Sequence, residues 1–160
     1  MKNAGKLVLV VILIAGGFFA YKKFMAAPSE ACQAYQKFAD HLARGNFKQA
    51  MDLATGDAVD AIEDAAKPIS PIGAPITQGQ LTEQIAGEVT SVSYSIESEV
   101  PSSDGNKVTI VATQYVHRYR AGDRAVGGGV TNKLKHHVEM QRDASGWKVA
   151  SFKEEHLGNE

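Results

Sequence analysis

The sequence predicts an α+β domain, helices first and an antiparallel sheet second, behind an N-terminal transmembrane helix. Three observations carry this. Leu7 to Tyr21 is an unbroken apolar run with lysines at both ends. From Ala31 to Ile62 the apolar positions recur at three and four, the period of a helix with one buried face. From Val92 onward the period becomes two, that of a half-buried strand. The predicted division is an anchor over 1–27 and one folded domain over 28–160, a length that suits a single core.

The apolar run includes Leu7, Val11, Ile14, Gly16, Gly17, Phe18 and Tyr21. At about 1.5 Å per residue it spans roughly 22 Å as a helix, against about 30 Å of hydrocarbon. It reaches further if the flanking lysines snorkel and the aromatic residues sit at the interface. Lys22 and Lys23 follow the run directly, where a signal-peptidase site needs small neutral residues, and Ala26-Ala27 is followed by Pro28. Both features favour a retained signal anchor over a cleaved signal peptide, which stays the competing reading. Lys2, Lys6 and the α-amine outweigh Lys22 and Lys23 slightly, so the N-terminus is expected in the cytoplasm. In a bacterium this is a single-pass inner-membrane protein with its domain in the periplasm. Ala15-Gly16-Gly17 makes a smooth patch that another helix can approach closely.

Each element of the domain has its own signal. Ser29 is a helix N-cap, and Ala31, Tyr35, Phe38, Ala39 and Leu42 form one apolar face. Gly45-Asn46 ends that helix. Phe47 to Ala54 restarts the period in a second helix, and Ala58 to Ala66 gives a third with Val59 and Ile62 inward. Lys67 to Gln80 holds three prolines and two glycines and reads as a loop.

Four strands follow. Val92, Tyr94 and Ile96 alternate with serines, and Pro101 to Asn106 is a turn. Val108 to Tyr119 carries Val108, Ile110, Ala112 and Val116 on one face, and Val111, Tyr115 and Tyr119 on the other. A glycine-rich loop over 122–129 leads to a strand with Leu134, His136, Val138 and Met140 on one side. After the turn at Asp143 to Gly146, Trp147, Val149 and Ser151 alternate with Lys148, Ala150 and Phe152. Hairpins join the strands, so the sheet is antiparallel.

Composition narrows the function classes. Cys32 is the only cysteine, so no intramolecular disulfide and no cysteine-based metal site can form. It lacks a lipobox and reads as a buried small hydrophobe. Residues 24–104 hold 4 basic and 12 acidic residues, whereas residues 105–160 hold 9 basic and 6 acidic. Such a chain is not built for nucleic acid. Gly127-Gly128-Gly129 lacks the Lys-Ser that a phosphate loop needs. His136 and His137 point to opposite faces of one strand and cannot share a metal, so no metal or cofactor is expected.

Two segments carry a resemblance. Phe38-Ala-Asp-His-Leu-Ala-Arg-Gly-Asn-Phe-Lys-Gln-Ala-Met-Asp-Leu-Ala54 and Asp143-Ala-Ser-Gly-Trp-Lys-Val-Ala-Ser-Phe152 stand in the order helix, Gly-Asn-Phe, short helix, curved sheet. This order resembles the NTF2-like (cystatin-like cone) superfamily over about residues 29–155. The resemblance implies two to three helices packed on a curved antiparallel sheet of four or more strands, with a pocket between. It also implies dimerisation through the sheet in some members. Ile72-Gly-Ala-Pro-Ile76 gives a weaker resemblance to membrane-anchored assembly factors of the Coa1/Tim21 type.

The candidate pocket residues are few. Tyr115, His117 and Tyr119 share one face of the second strand, and Asp40 on the first helix can sit opposite. Nothing in this set is a catalytic constellation of recognisable spacing. The expected function is therefore a non-enzymatic, membrane-anchored interaction domain, an accessory or assembly subunit of a bacterial envelope complex. Its expected partners are the lipid bilayer, other membrane subunits and a second copy of itself. The alternatives are binding of a small apolar ligand or lipid in the cone and, third, an NTF2-like enzyme.

Overall fold

The structure, a computed structural model, describes residues 28–67, 87–119 and 128–160. The anchor over 1–27, the proline-rich segment 68–80 and most of the glycine-rich loop, residues 120–127, lie outside these residues. None of the described helices is long and apolar enough to cross a membrane.

Helix α1 spans Glu30–Ala43. Ser29 caps it, its Oγ accepting from the Cys32 backbone N–H at 3.0 Å. Its end follows from glycine. Gly45 takes φ +70°, the Asn46 N–H donates to the His41 carbonyl at 2.8 Å, and the Gly45 N–H donates to Leu42 at 3.0 Å. The buried face is Ala31, Cys32, Tyr35, Phe38 and Ala39. Helix α2 is shorter than its sequence suggests, Phe47–Met51 only, because Leu53 to Thr55 leave the helix to meet the sheet. There the Val149 N–H donates to Leu53 O, and the Thr55 N–H donates to Val149 O, both at 2.8 Å. Helix α3 runs Asp57–Ala66 and buries Ala58 and Ile62; Val59, expected inward, is only half-buried.

The strands are β1 (Glu88–Pro101), β2 (Lys107–Tyr119), β3 (Val130–Asp143) and β4 (Gly146–Asn159). They form one antiparallel sheet in the order β1-β2-β3-β4. Strands β2 and β3 pair residue for residue, whereas β1 and β4 slip register at two points each. The extra residues are Thr90 and Glu97 on β1, and Ala150 and Leu157 on β4. Bulges bend a strand and raise its twist. Bulges on both edge strands curl the sheet around the helices.

The bulge at Ala150 also corrects the sequence reading of β4. Strict alternation groups Phe152 with Lys148 and Ala150. With one extra residue, Val149 opposes Met140 and Phe152 opposes Val138, so both face the helices. The core lies between α1–α3 and this face, around Tyr35, Phe38, Ile110, Val138, Met140 and Val149.

Candidate functional site

A cavity of about 600 Å³ opens between the helices and the sheet. Its helical wall is apolar: Phe38, Ala39, Leu42 and Ala43 from α1, and Ala58, Ala61, Ile62 and Ala65 from α3. Alanine at most of these positions leaves the space open, since each larger side chain would fill it. The sheet supplies Gln114, Val116 and Arg118 from β2, Asn132, Leu134 and His136 from β3, and Phe152, Glu154 and His156 from β4.

The polar lining is set by position in the sheet. Gln114 and Arg118 continue the phase of Val108, Ile110 and Ala112, which the core holds against the helices. Across the ladder, Ala112 opposes His136, and His136 opposes Glu154. The three strands therefore deliver their polar groups to one floor.

Two of these groups have fixed orientations. Tyr35 is fully buried and His136 is 1% exposed, with the Tyr35 hydroxyl 2.8 Å from His136 Nδ1. Burial raises the Tyr35 pKa far above its ordinary value, so the hydroxyl keeps its proton, and because the Glu154 carboxylate on the other side of the ring can only accept, Nδ1 accepts from that hydroxyl. His136 Nε2 then carries the ring proton and donates to Glu154 Oε2 at 3.2 Å. The Gln114 amide is locked as well. Its Nε2 donates to Ala39 O at 3.2 Å and to the Tyr94 hydroxyl at 3.1 Å, and Tyr94 in turn donates to Gln36 O at 3.0 Å. Burial pushes the Tyr94 pKa up to about 12. Arg118, nearly buried, donates to the carbonyls of Gly87 at 3.0 Å and Ala43 at 2.9 Å, tying β2 to the end of α1.

Asp40, Tyr115, His117 and Tyr119 do not converge on this cavity. The three β2 residues do share a face, but it is the face turned away from the helices, because Val108, Ile110 and Ala112 hold the other phase inward. There they are knit into the surface. His117 Nδ1 lies 3.0 Å from Thr131 Oγ1, the His117 and Tyr119 rings stand edge to face at 4.9 Å, and Lys133 lies over Tyr115 at 5.6 Å. Asp40 is across the sheet from them and pairs with Arg44 at 3.0 Å. The sequence did carry a signal for the true lining. Gln114 and Arg118 are polar residues in the apolar phase of β2, as His136 is on β3. Among the described residues no group of three metal-binding side chains forms.

Three helices on one face of a four-stranded antiparallel meander, with a cavity between, is the arrangement that the sequence resemblance implies. This layout fits an NTF2-like fold. Solved structures similar to this chain include a ketosteroid isomerase-like protein from Erwinia carotovora atroseptica, 13% identical, with a TM-score of 0.46 over 79% of this chain and 92% of that one. Another is the Kfla4162 protein from Kribbella flavida, 18% identical, with a TM-score of 0.49 over 82% and 90%. A third is an NTF2-like protein of unknown function from Shewanella oneidensis, 10% identical, with a TM-score of 0.44 over 78% and 95%. These likenesses concern backbone shape and transfer no activity. No protein-family profile and no curated protein matches the sequence.

Proposed function

We propose that residues 28–160 form a binding module, held at the membrane by residues 1–27, whose cone takes a small and mainly apolar ligand. The observation that carries this reading is the cavity of about 600 Å³, walled by alanine, leucine, isoleucine and phenylalanine and floored by a few fixed polar groups. Ligand pockets typically measure about 300–1,000 Å³ and have this apolar-with-few-polar lining. Binding fits the geometry better than catalysis. Both nitrogens of His136, the buried imidazole of the cavity, are already engaged by protein groups, leaving none to work on a substrate. The anchor adds the location: an inner membrane, with the domain on the periplasmic side.

The experiment is recovery of the full chain in mild detergent, followed by denaturation and mass spectrometry of whatever small molecules are released. An apolar molecule in stoichiometric amount is expected, and Ala61→Phe, which fills the cavity from an exposed helix position, is expected to lose it. Equal recovery from both proteins would refute a cone-bound ligand.

A second reading, an accessory or assembly subunit of an envelope complex, is favoured by Ala15-Gly16-Gly17, whose small side chains suit close helix packing in lipid. Replacing Gly16 and Gly17 with leucine is then expected to remove partners that co-purify with the full chain. Unchanged co-purification leaves the segment as a passive tether.

A further inference from the structure

Two polar groups of the cavity floor, Gln114 and Glu154, present acceptors, and this restricts the ligand. Gln114 is 2% exposed and lines the cavity. Both its amide protons are spent, one on Ala39 O and one on the Tyr94 hydroxyl. The amide cannot be turned over, because Ala39 O accepts and would then face another acceptor. Its Oε1 is left as an acceptor with no hydrogen-bond partner among the described residues. Glu154 is the second acceptor. His136, itself set by Tyr35, donates to Oε2 and leaves Oε1 available at the cavity wall, where the side chain is 48% exposed. Gln114 on β2 and Glu154 on β4 both flank β3, two residues apart along it, opposite Leu134 and His136 respectively. Arg118 Nη1 and Nη2 serve the carbonyls of Gly87 and Ala43 at the rim.

We infer that the cone selects an apolar ligand bearing hydrogen-bond donors, hydroxyl or amine, which Gln114 Oε1 and Glu154 receive. This inference rests on the ligand-binding reading above and adds the chemical class. A buried acceptor left unmet by its ligand costs binding, whereas a ligand that supplies the donor loses nothing. At these two positions the cavity therefore discriminates against acceptor-only molecules of the same shape.

The test uses the full chain in lipid nanodiscs, with empty nanodiscs as reference, and three probes on one skeleton. These are 2,6-dihydroxynaphthalene, 2,6-dimethoxynaphthalene and 2,6-naphthalenedicarboxylate, titrated by calorimetry. The dihydroxy probe is expected to bind at least about tenfold more tightly than either of the others. Gln114→Met and Glu154→Met are each expected to weaken the dihydroxy probe severalfold and leave the dimethoxy probe unchanged. Unchanged binding of the dimethoxy probe shows that each variant keeps its fold. Equal binding of the dihydroxy and dimethoxy probes, or tighter binding of the dicarboxylate, overturns the donor selection while leaving the pocket intact. Variants that weaken all probes alike overturn it as well, since they report packing. Binding of none of the probes overturns both this inference and the ligand-binding reading.

Discussion

Tyr35 and His136 make the most consequential pair of side chains in the core. A buried tyrosine hydroxyl needs an acceptor, and a buried imidazole needs one donor and one acceptor. Here the two meet each other's needs, and Glu154 completes the set. Tyr35→Phe leaves Nδ1 unmet inside the core, so a loss of about 1–3 kcal/mol in urea denaturation is expected. Cys32 gives a second expectation. Burial, with a smaller push from Glu99, raises its pKa from 9.0 to about 11. The unfolded chain releases the thiol proton first as pH rises, so the stabilising contribution is complete below pH 9 and is lost as the pH climbs through about 11. Denaturation midpoints should therefore fall with rising pH in this window, and Cys32→Ala should flatten that part of the curve. A profile unchanged by the substitution would show that the slope belongs to other groups.

At the scale of elements, the sheet's shape depends on residues that contribute little of their own. Ala150 is one: the extra residue re-phases β4 and brings Phe152, Glu154 and His156 to the cavity. Gly129 is another. A Cβ there would lie 2.6 Å from the His117 ring and 3.2 Å from the Arg118 carbonyl. The glycine that reads as part of a flexible loop is thus fixed by close packing as the chain enters β3. Gly129→Ala is expected to cost about 1–3 kcal/mol and to displace the His117 ring, seen as a shift of its imidazole NMR signals. An unmoved ring would mean that the backbone yields instead. The ends of α1 were legible because capping is local: Ser29 and Gly45-Asn46 act within one turn. The phase of β4 was not, because a bulge is imposed by the partner strand and leaves no mark in a two-residue period.

At the scale of the molecule, the cavity sets what the proposed binding module can hold. The cavity lies where the apolar wall of α1 and α3 faces the sheet around residues 114–118. A ligand that fills it stabilises only the folded state; at a hundred times its dissociation constant the gain is about 2.7 kcal/mol, visible as a rise in Tm. The anchor proposed for residues 1–27 makes a separate prediction. The full chain is expected in the membrane fraction after carbonate washing, and removal of residues 2–23 is expected to move it to the soluble fraction. Full-length protein found soluble would exclude the anchor.

The sequence by itself determined the order of elements, their periods, the caps of α1 and the buried fate of Cys32, because each depends on neighbours within a few residues. It also marked Leu7 to Tyr21 as a segment suited to lipid. Only the tertiary structure decided which face of β2 meets the helices. That choice turned on the combined burial of Val108, Ile110 and Ala112 against the aromatic alternative of Tyr115, His117 and Tyr119. With it went the identity of the site, since a strand whose two faces both carry bulk takes its orientation from what packs against it.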